Sequence, residues 1–208
     1  MTPNRIRDIW RQFSGRGTTY PHELAFLLTL PFRRLILSPE QLVDRLGLHE
    51  NSRVLELGPG PGFFSVRVAR SLPQGHLYLA DIQIEMLRKA RTRLARSGVS
   101  NASFVQASAG ALPFAAGTLD VVFLVAVLGE VPDPDACVAS IAQVLRSGGI
   151  LSITELPGDP DALSEAEVAR LACARGFERA ETYPIRGGFT ANFRKPAPAA
   201  PESGPPTG

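Results

Sequence analysis

The stretch Val54-Leu-Glu-Leu-Gly58-Pro-Gly60-Pro-Gly62-Phe-Phe-Ser65 constrains the fold more than any other part of the chain. An apolar run of strand length passes directly into a glycine-rich turn, and a helix-forming run follows from Phe63 to about Leu72. Glycine lets the backbone turn sharply and approach a ligand closely. The N-terminus of the following helix offers unpaired N–H groups. Such a turn belongs at the C-terminal edge of a parallel sheet, where open α/β folds bind their ligands.

The rest of the chain keeps the same alternation. His76 to Ala80 reads as a strand ending at Asp81, and Ile84, Leu87, Ala90 and Leu94 recur at helical spacing as far as about Ser97. Ala102–Gln106 is a strand, and the apolar run Asp120–Val127 is a strand buried on both faces. Asp133-Pro134-Asp135 caps a helix expected to end at Ser147-Gly148-Gly149, and Ile150–Thr154 is the next strand. Ser164-Glu165-Ala166-Glu167 is a capping box for a helix ending at Gly176. Phe177–Tyr183 and Phe189–Arg194, joined by Gly187-Gly188, form an antiparallel pair. The fold class is α/β: a Rossmann-like mixed sheet with helices on both faces.

Ahead of this unit, Ser38-Pro39-Glu40-Gln41 opens a helix to about Leu46 that Gly47 stops. Residues 1–20 read as a helix and a mobile loop, and Pro21–Leu30 as an apolar helix broken at Pro31. The organisation is a helical extension or lid at 1–50, one ligand-binding domain at 51–195, and a Pro-rich disordered tail at 196–208. A chain of 208 residues buries one core without staples.

Composition excludes several classes. A net charge of +2 argues against a dedicated duplex-DNA binder, so no specific nucleic-acid partner is expected. Two cysteines, Cys137 and Cys173, and three scattered histidines make neither a disulfide framework nor a metal site. Both cysteines fall on helices and read as small core residues. No signal peptide or spanning segment is evident, and Leu24–Leu37 is interrupted by Pro31 and Arg33-Arg34. The arginine-rich composition suggests a bacterial cytoplasmic protein of high-GC origin. The run Arg88-Lys89, Arg91, Arg93 and Arg96 reads as a solvated helix face, with an anionic partner as the alternative.

Two ligand classes compete for the glycine turn. A dinucleotide site favours G-x-G-x-x-G, but here the third glycine comes one residue early, at Gly62, and Phe63 follows. Glu56 stands just ahead of the turn, a poor match for a pyrophosphate and a good one for an ammonium group. S-adenosylmethionine carries an ammonium group and a ribose but no phosphate. Asp81 suits ribose hydroxyls in either case.

These residues resemble those of the class I S-adenosylmethionine-dependent methyltransferases. The match runs through Val54–Gly62, Asp81 with Met86-Leu87 and Ala90, Ala111-Leu112-Pro113-Phe114, Leu119-Asp120-Val121-Val122 and Leu145-Arg-Ser-Gly148-Gly149. The closing Ala174-Arg-Gly176-Phe177 and Phe193-Arg194-Lys195-Pro196 are similar to the small-molecule branch near the quinone and arsenite methyltransferases. The resemblance implies a seven-stranded sheet with the last strand antiparallel, and S-adenosylmethionine as co-substrate without a metal. It implies that Glu56 and the loop Gly58, Pro59, Gly60 and Gly62 hold the methionine end. Asp81 would bind the ribose, Ile82 and Met86 would pack on the adenine, Ala107, Ser108 and Ala109 would line its edge, and Leu124-Val125 would lie near the cofactor. Ser108 departs from the pattern, since many relatives carry an Asp there, and Gly129-Glu130 stand where a His is common.

No base is evident. Glu130, Tyr20 and His22 are candidates, against plain readings as a helix-entry charge (Glu130) and a surface helix residue (His22). Clustered cysteines for arsenite are lacking, which leaves a small, apolar organic acceptor such as a lipid or quinone, reached by a protein that contacts the inner membrane face peripherally. The alternatives are a catalytically silent S-adenosylmethionine-binding protein acting with a partner and, third, an NAD-dependent oxidoreductase.

Overall fold

The computed structural model describes residues 37–157, 159 and 161–197. The N-terminal readings for residues 1–36, including Tyr20 and His22, and nearly all of the Pro-rich tail lie outside the described residues.

The described chain begins with α1 (Pro39–Arg45), whose Ser38 forms the capping box read from the sequence: Ser38 Oγ accepts from the Gln41 N–H, and Gln41 Oε1 accepts from the Ser38 N–H. Strands and helices then alternate as β1 (Arg53–Leu57), α2 (Ser65–Arg70), β2 (His76–Asp81), α3 (Ile84–Arg96) and β3 (Ala102–Gln106). They continue through β4 (Leu119–Val125), a 3-10 turn at Leu128–Glu130, α4 (Pro134–Val144), β5 (Leu145–Glu155), α5 (Glu165–Ala174), β6 (Glu178–Ile185) and β7 (Gly188–Arg194). Seven strands form one sheet in the order β3-β2-β1-β4-β5-β7-β6. The first five run parallel, and β7 lies antiparallel between β5 and β6.

The period-two alternation of the strands sorts the core into two layers. Val54 packs with Leu42, Val68, Leu87 and Leu94 on the face covered by α1, α2 and α3. Its neighbour Leu55 packs with Val138, Ile141, Val168 and Leu171 on the face covered by α4 and α5. Glu56 shares Val54's face, which carries its carboxylate to the start of α2. Strand order reverses between β1 and β4, so the crevice outside their carboxyl ends is the topological switch point where such sheets bind ligands.

Four local readings change. First, α4 ends at Val144, and Ser147-Gly148-Gly149 lie inside β5. The glycine pair serves an irregularity in the β4–β5 register rather than a helix stop, with Leu119 opposite Leu145 and Val121 opposite Ile150. Gly148 has φ +75°, and a Cβ on Gly149 would lie 2.8 Å from the Arg146 carbonyl oxygen. Lys195 Nζ donates to the carbonyls of Ala142 and Leu145 at 2.6 and 2.7 Å, placing a cation at the helix C-terminus. Second, β4 stops at Val125 because Ala126 takes φ +54° and donates its N–H to the Thr154 carbonyl, which turns Val127 out of the strand. Third, the helix expected from Phe63 begins at Ser65, after turns closed by the Gly62 N–H to the Pro59 carbonyl and the Arg67 N–H to the Phe64 carbonyl. Fourth, Cys137 is buried in the core but Cys173 is exposed on the outer face of α5.

Candidate active site

The cleft at the switch point is built from the carboxyl ends of β1, β2, β3 and β4. The β1 turn starts at Gly58, whose N–H donates to the Ala80 carbonyl at 2.8 Å. Its φ is +66°, and a Cβ there would sit 2.5 Å from Val127 Cγ2, so both conformation and space require glycine. Buried Pro59 and half-buried Gly60 line the cleft with it. Gly62 does not line the cleft. It sits behind the turn, where a Cβ would lie 3.2 Å from both Ala90 Cα and Ala90 Cβ, and it lets the turn seat against α3.

Glu56 lines the floor and is only 3% exposed. Ser65 Oγ donates to its Oε2 at 2.5 Å. Burial pushes the carboxyl up to about 8, the Ser65 hydrogen bond opposes this, and the nearby Asp81 charge adds to it. A carboxylate that is expensive to ionise alone is a good receptor for a cation delivered into the same space.

Asp81 ends β2 and is nearly as buried. Burial raises its pKa, while the backbone N–H groups of Gln83, Gly60 and Ile82 act in the opposite direction. The Gln83 N–H reaches Asp81 Oδ1 at 2.9 Å. Its main chain is also fixed, since the Asp81 carbonyl accepts from the Ala107 N–H. Ile82 and Met86 line one wall beyond it, and Ala107, Ser108 and Ala109 line the other. Ile82 is 56% exposed, the exposed large apolar side chain of the described residues, and it lies at the rim. Val125 completes the wall from β4, whereas its neighbour Leu124 belongs to the core.

The structure therefore brings eleven of the twelve expected cofactor residues to one cleft, Gly62 being the one behind it. Of the catalytic candidates, Glu130 lines the cleft from the 3-10 turn. Sequence reasoning missed the apolar residues Phe63, Phe64, Val127, Val131 and Pro132, which also line the cleft. Phe63 and Phe64 meet edge to face at 4.8 Å. A helix expected to start at Phe63 and a strand expected to reach Val127 assigned these residues to elements rather than to a pocket. The one available signal was Gly58, whose need for space points at whatever packs against it.

A glycine turn at a sheet's switch point, a buried acid beneath it and a second acid at the next strand end define a Rossmann-like nucleoside-binding fold of the methyltransferase type. The chain belongs to the methyltransferase-domain family, whose model matches residues 48–181. Among curated proteins it is 39% identical over 115 residues to the ubiquinone/menaquinone biosynthesis C-methyltransferase UbiE of Pasteurella multocida, covering 54% of this chain and 43% of that one. It is 38% identical to the protein of the same description from Vibrio campbellii, covering 54% and 44%. The chain thus spans less than half the length of the curated relatives it matches. Among solved structures, a SAM-dependent methyltransferase from Aquifex aeolicus superposes with a TM-score of 0.79 at 21% identity, over 85% of this chain and all of that one. The [4+2]-cyclase SpnF superposes with a TM-score of 0.70 at 19% identity, over 77% and 80%.

Proposed function

We propose that the protein transfers the methyl group of S-adenosylmethionine to a small, apolar organic acceptor. The observation that carries this reading is Glu56: a buried carboxylate beneath a glycine turn, suited to an ammonium group and unsuited to a pyrophosphate. Glu56 would hold the ammonium, with the turn from Gly58 through Pro59 to Gly60 closing over it. Asp81 would accept from the ribose hydroxyls. Ile82 and Met86 would cover the adenine, with Ala107, Ser108 and Ala109 along its edge. Gly62 supports the site from behind by seating the turn on α3. No group of three or more potential metal ligands is assembled among the described residues, and the reading uses none.

S-adenosylmethionine supplies an activated, sulfonium-bound methyl group. The protein's own contribution is then alignment and exclusion of water. Phe63, Phe64, Val127 and Val131 give the acceptor an apolar seat beside the methionine end, and Glu130 is the charged group at that seat. The acceptor nucleophile forms a bond to the methyl carbon as the carbon–sulfur bond breaks, and the electron pair leaves on sulfur. The likeness to the C-methyltransferases of quinone biosynthesis supports a quinone-type acceptor. Such an acceptor partitions into bilayers, which supports a cytoplasmic protein working at the membrane face. No helix among the described residues is long and apolar enough to cross a membrane. A shared fold does not fix the reaction, as the cyclase neighbour illustrates.

Calorimetry with S-adenosylhomocysteine and with NADH tests the first step. Micromolar-class binding of the former and none of the latter is expected, and tight NADH binding alone would overturn the reading. Incubation with S-adenosylmethionine and reduced 1,4-naphthoquinone, followed by mass spectrometry, tests the acceptor. Cofactor binding without any methylated product from a panel of apolar phenols would favour a catalytically silent binding protein.

A further inference from the structure

The net charge of +2 conceals a separation of charge across the sheet. Residues 65–106, which form α2, β2, α3 and β3, hold seven Arg and Lys residues and two acids. One of these acids, Asp81, is buried at the cleft, and the other, Glu85, lies in the first turn of α3 and pairs with Arg88 at 3.8 Å. No further acid occurs before Asp120. Residues 155–181, which supply α5 on the opposite face of the sheet, hold seven acids and three arginines.

The cations form one surface. α3 buries Met86, Leu87, Ala90 and Leu94, and it exposes Arg88, Lys89, Arg91 and Arg96. α2 adds the exposed Arg70, whose Nη2 donates to the Ser97 carbonyl at 2.8 Å and so sits against the C-terminal end of α3. Arg91 lies over the Phe104 ring at 5.2 Å, which carries the surface onto β3, the edge strand of the sheet. Helix stability accounts for part of this pattern. Arg93 and Arg96 in the last turn complement the helix dipole, and Arg88 answers Glu85. It calls for neither Lys89 nor Arg91, nor for an acid-free stretch from Met86 to Leu119. Like charges crowded on one face repel one another, and an anionic partner relieves that repulsion.

We propose that the outer face of α3, with Arg70 of α2, docks the protein on an anionic lipid bilayer and sets the cleft rim beside the surface from which an apolar acceptor comes. The choice of a bilayer rests on the apolar-acceptor reading of the cleft; the basic surface itself does not. Two observations favour a bilayer over single-stranded nucleic acid. Such strands are held by aromatic rings on which bases stack, and here Phe104 is taken by Arg91. Ile82, 56% exposed, lines the cleft and lies two residues ahead of α3, so the basic face begins at the cleft rim. An apolar side chain beside a cationic helix face is the pattern of peripheral membrane contact. With so little apolar surface the contact is chiefly electrostatic, and it weakens as salt rises.

The test is sedimentation of the full chain with vesicles of phosphatidylcholine alone and of phosphatidylcholine and phosphatidylglycerol in equal parts. At about 0.1 M salt the anionic vesicles are expected to carry the wild type down and the neutral ones to leave it in solution. R88Q/K89Q/R96Q removes three exposed charges from α3 and should weaken the binding by about tenfold or more. R170Q/R175Q/R179Q removes three exposed charges from the α5 side and should leave it within about threefold. R88K/R96K keeps the charge and should bind as the wild type does, and a cooperative thermal transition shows that each variant is folded. Equal binding to both vesicles, binding to neither, or anionic binding that survives R88Q/K89Q/R96Q overturns the proposal. Capture of polyuridylate through the same residues without vesicle binding assigns the face to RNA and overturns it too. Calorimetry with S-adenosylhomocysteine keeps the two readings apart. A wild type that binds this ligand but no vesicle loses the docking surface alone, and one that docks through α3 but binds no ligand loses the cleft reading alone.

Discussion

Two buried carboxyl groups, Glu56 and Glu155, stand at the same edge of the sheet, and each is pushed up to about 8 chiefly by burial. Their surroundings differ. Glu56 has one partner, the Ser65 hydroxyl, and faces an open cleft into which a cation can come. Glu155 is 2% exposed and lies outside the cleft, and the Leu163 backbone N–H opposes the effect of its burial. In the proposed reading the first is an acid whose complement would arrive with the ligand. The second lies near the acids Asp159 and Glu130, whose charges add to the effect of burial. The same burial thus acts on one carboxyl that a ligand can reach and on another that the cleft does not reach.

The largest effect should come from closing the cofactor half. Gly58→Val places a side chain where Val127 already lies, in a backbone region that β-branched residues avoid. Binding of S-adenosylhomocysteine should disappear from calorimetry. Binding within threefold of wild type would show that the turn does not contact the ligand. Next in size, Asp81→Ala should weaken the same ligand by about 1.5–3 kcal/mol, through loss of a charged acceptor to the ribose. Glu155→Gln, outside the cleft, should leave this affinity far less changed.

Stability separates the two acids directly. For each, the folded protein holds a proton that the unfolded chain releases near its ordinary value of 4.5. The cost is absent below that value, grows as pH rises toward about 8, and is constant above it. Glu56→Gln and Glu155→Gln should therefore each stabilise the ligand-free protein by on the order of 1–3 kcal/mol near neutrality, and by little at about pH 4. Urea unfolding at the two pH values measures this. Saturating S-adenosylmethionine should reverse the gain for Glu56→Gln, because the wild-type acid then has its ammonium partner. It should leave the gain for Glu155→Gln in place. A gain that survives the ligand at both positions would remove Glu56 from ammonium binding.

The cofactor half was legible in the sequence because its residues sit at strand ends fixed by chain order. Val54–Gly62 and Asp81 are local signals, and the alternation of elements brings them together without knowledge of packing. The acceptor half was not. Phe63, Val127 and Val131 read as parts of a helix, a strand and a connection, and only the left-handed turn at Ala126 and the turns before Ser65 free them to line a pocket. Glu155 directly follows the strand read at Ile150–Thr154, and nothing local shows that its carboxyl is buried. The glycine pair Gly148-Gly149 misled for a related reason: glycine marks departures from regular backbone, and a strand irregularity and a helix stop look alike until the partner strand is placed.

Gly62 offers a smaller and cleaner contrast, because it supports the cofactor half without lining it. A methyl group there would press on Ala90 and Leu94 in α3 at 3.2–3.3 Å, at a φ of +76°. Gly62→Ala should cost about 1–2 kcal/mol of stability, since alanine tolerates that backbone region poorly. Affinity per folded molecule should change little, and a large drop in affinity at unchanged stability would put Gly62 in the ligand's path.

The smallest effect expected is at Ser108, on the exposed wall of the cleft beyond Asp81. Its carbonyl accepts from the Ala111 N–H, which fixes the local turn, and the residue lines the cleft. Ser108→Asp would replace a neutral acceptor with an ionised one at the adenine edge. Charge-assisted hydrogen bonds are stronger than neutral ones, but this site is open to water, so the gain should be below about 1 kcal/mol. The expected outcome is an affinity for S-adenosylhomocysteine tightened by up to about fivefold, with the stability of the ligand-free protein unchanged. The measurement sharpens the comparison of the two halves, since Ser108 is a polar residue of the cofactor half that carries no buried charge. If Ser108→Asp binds the adenosine portion no better than wild type, the amino edge of the adenine does not lie at Ser108, and recognition in this half reduces to Glu56, Asp81 and the glycine turn.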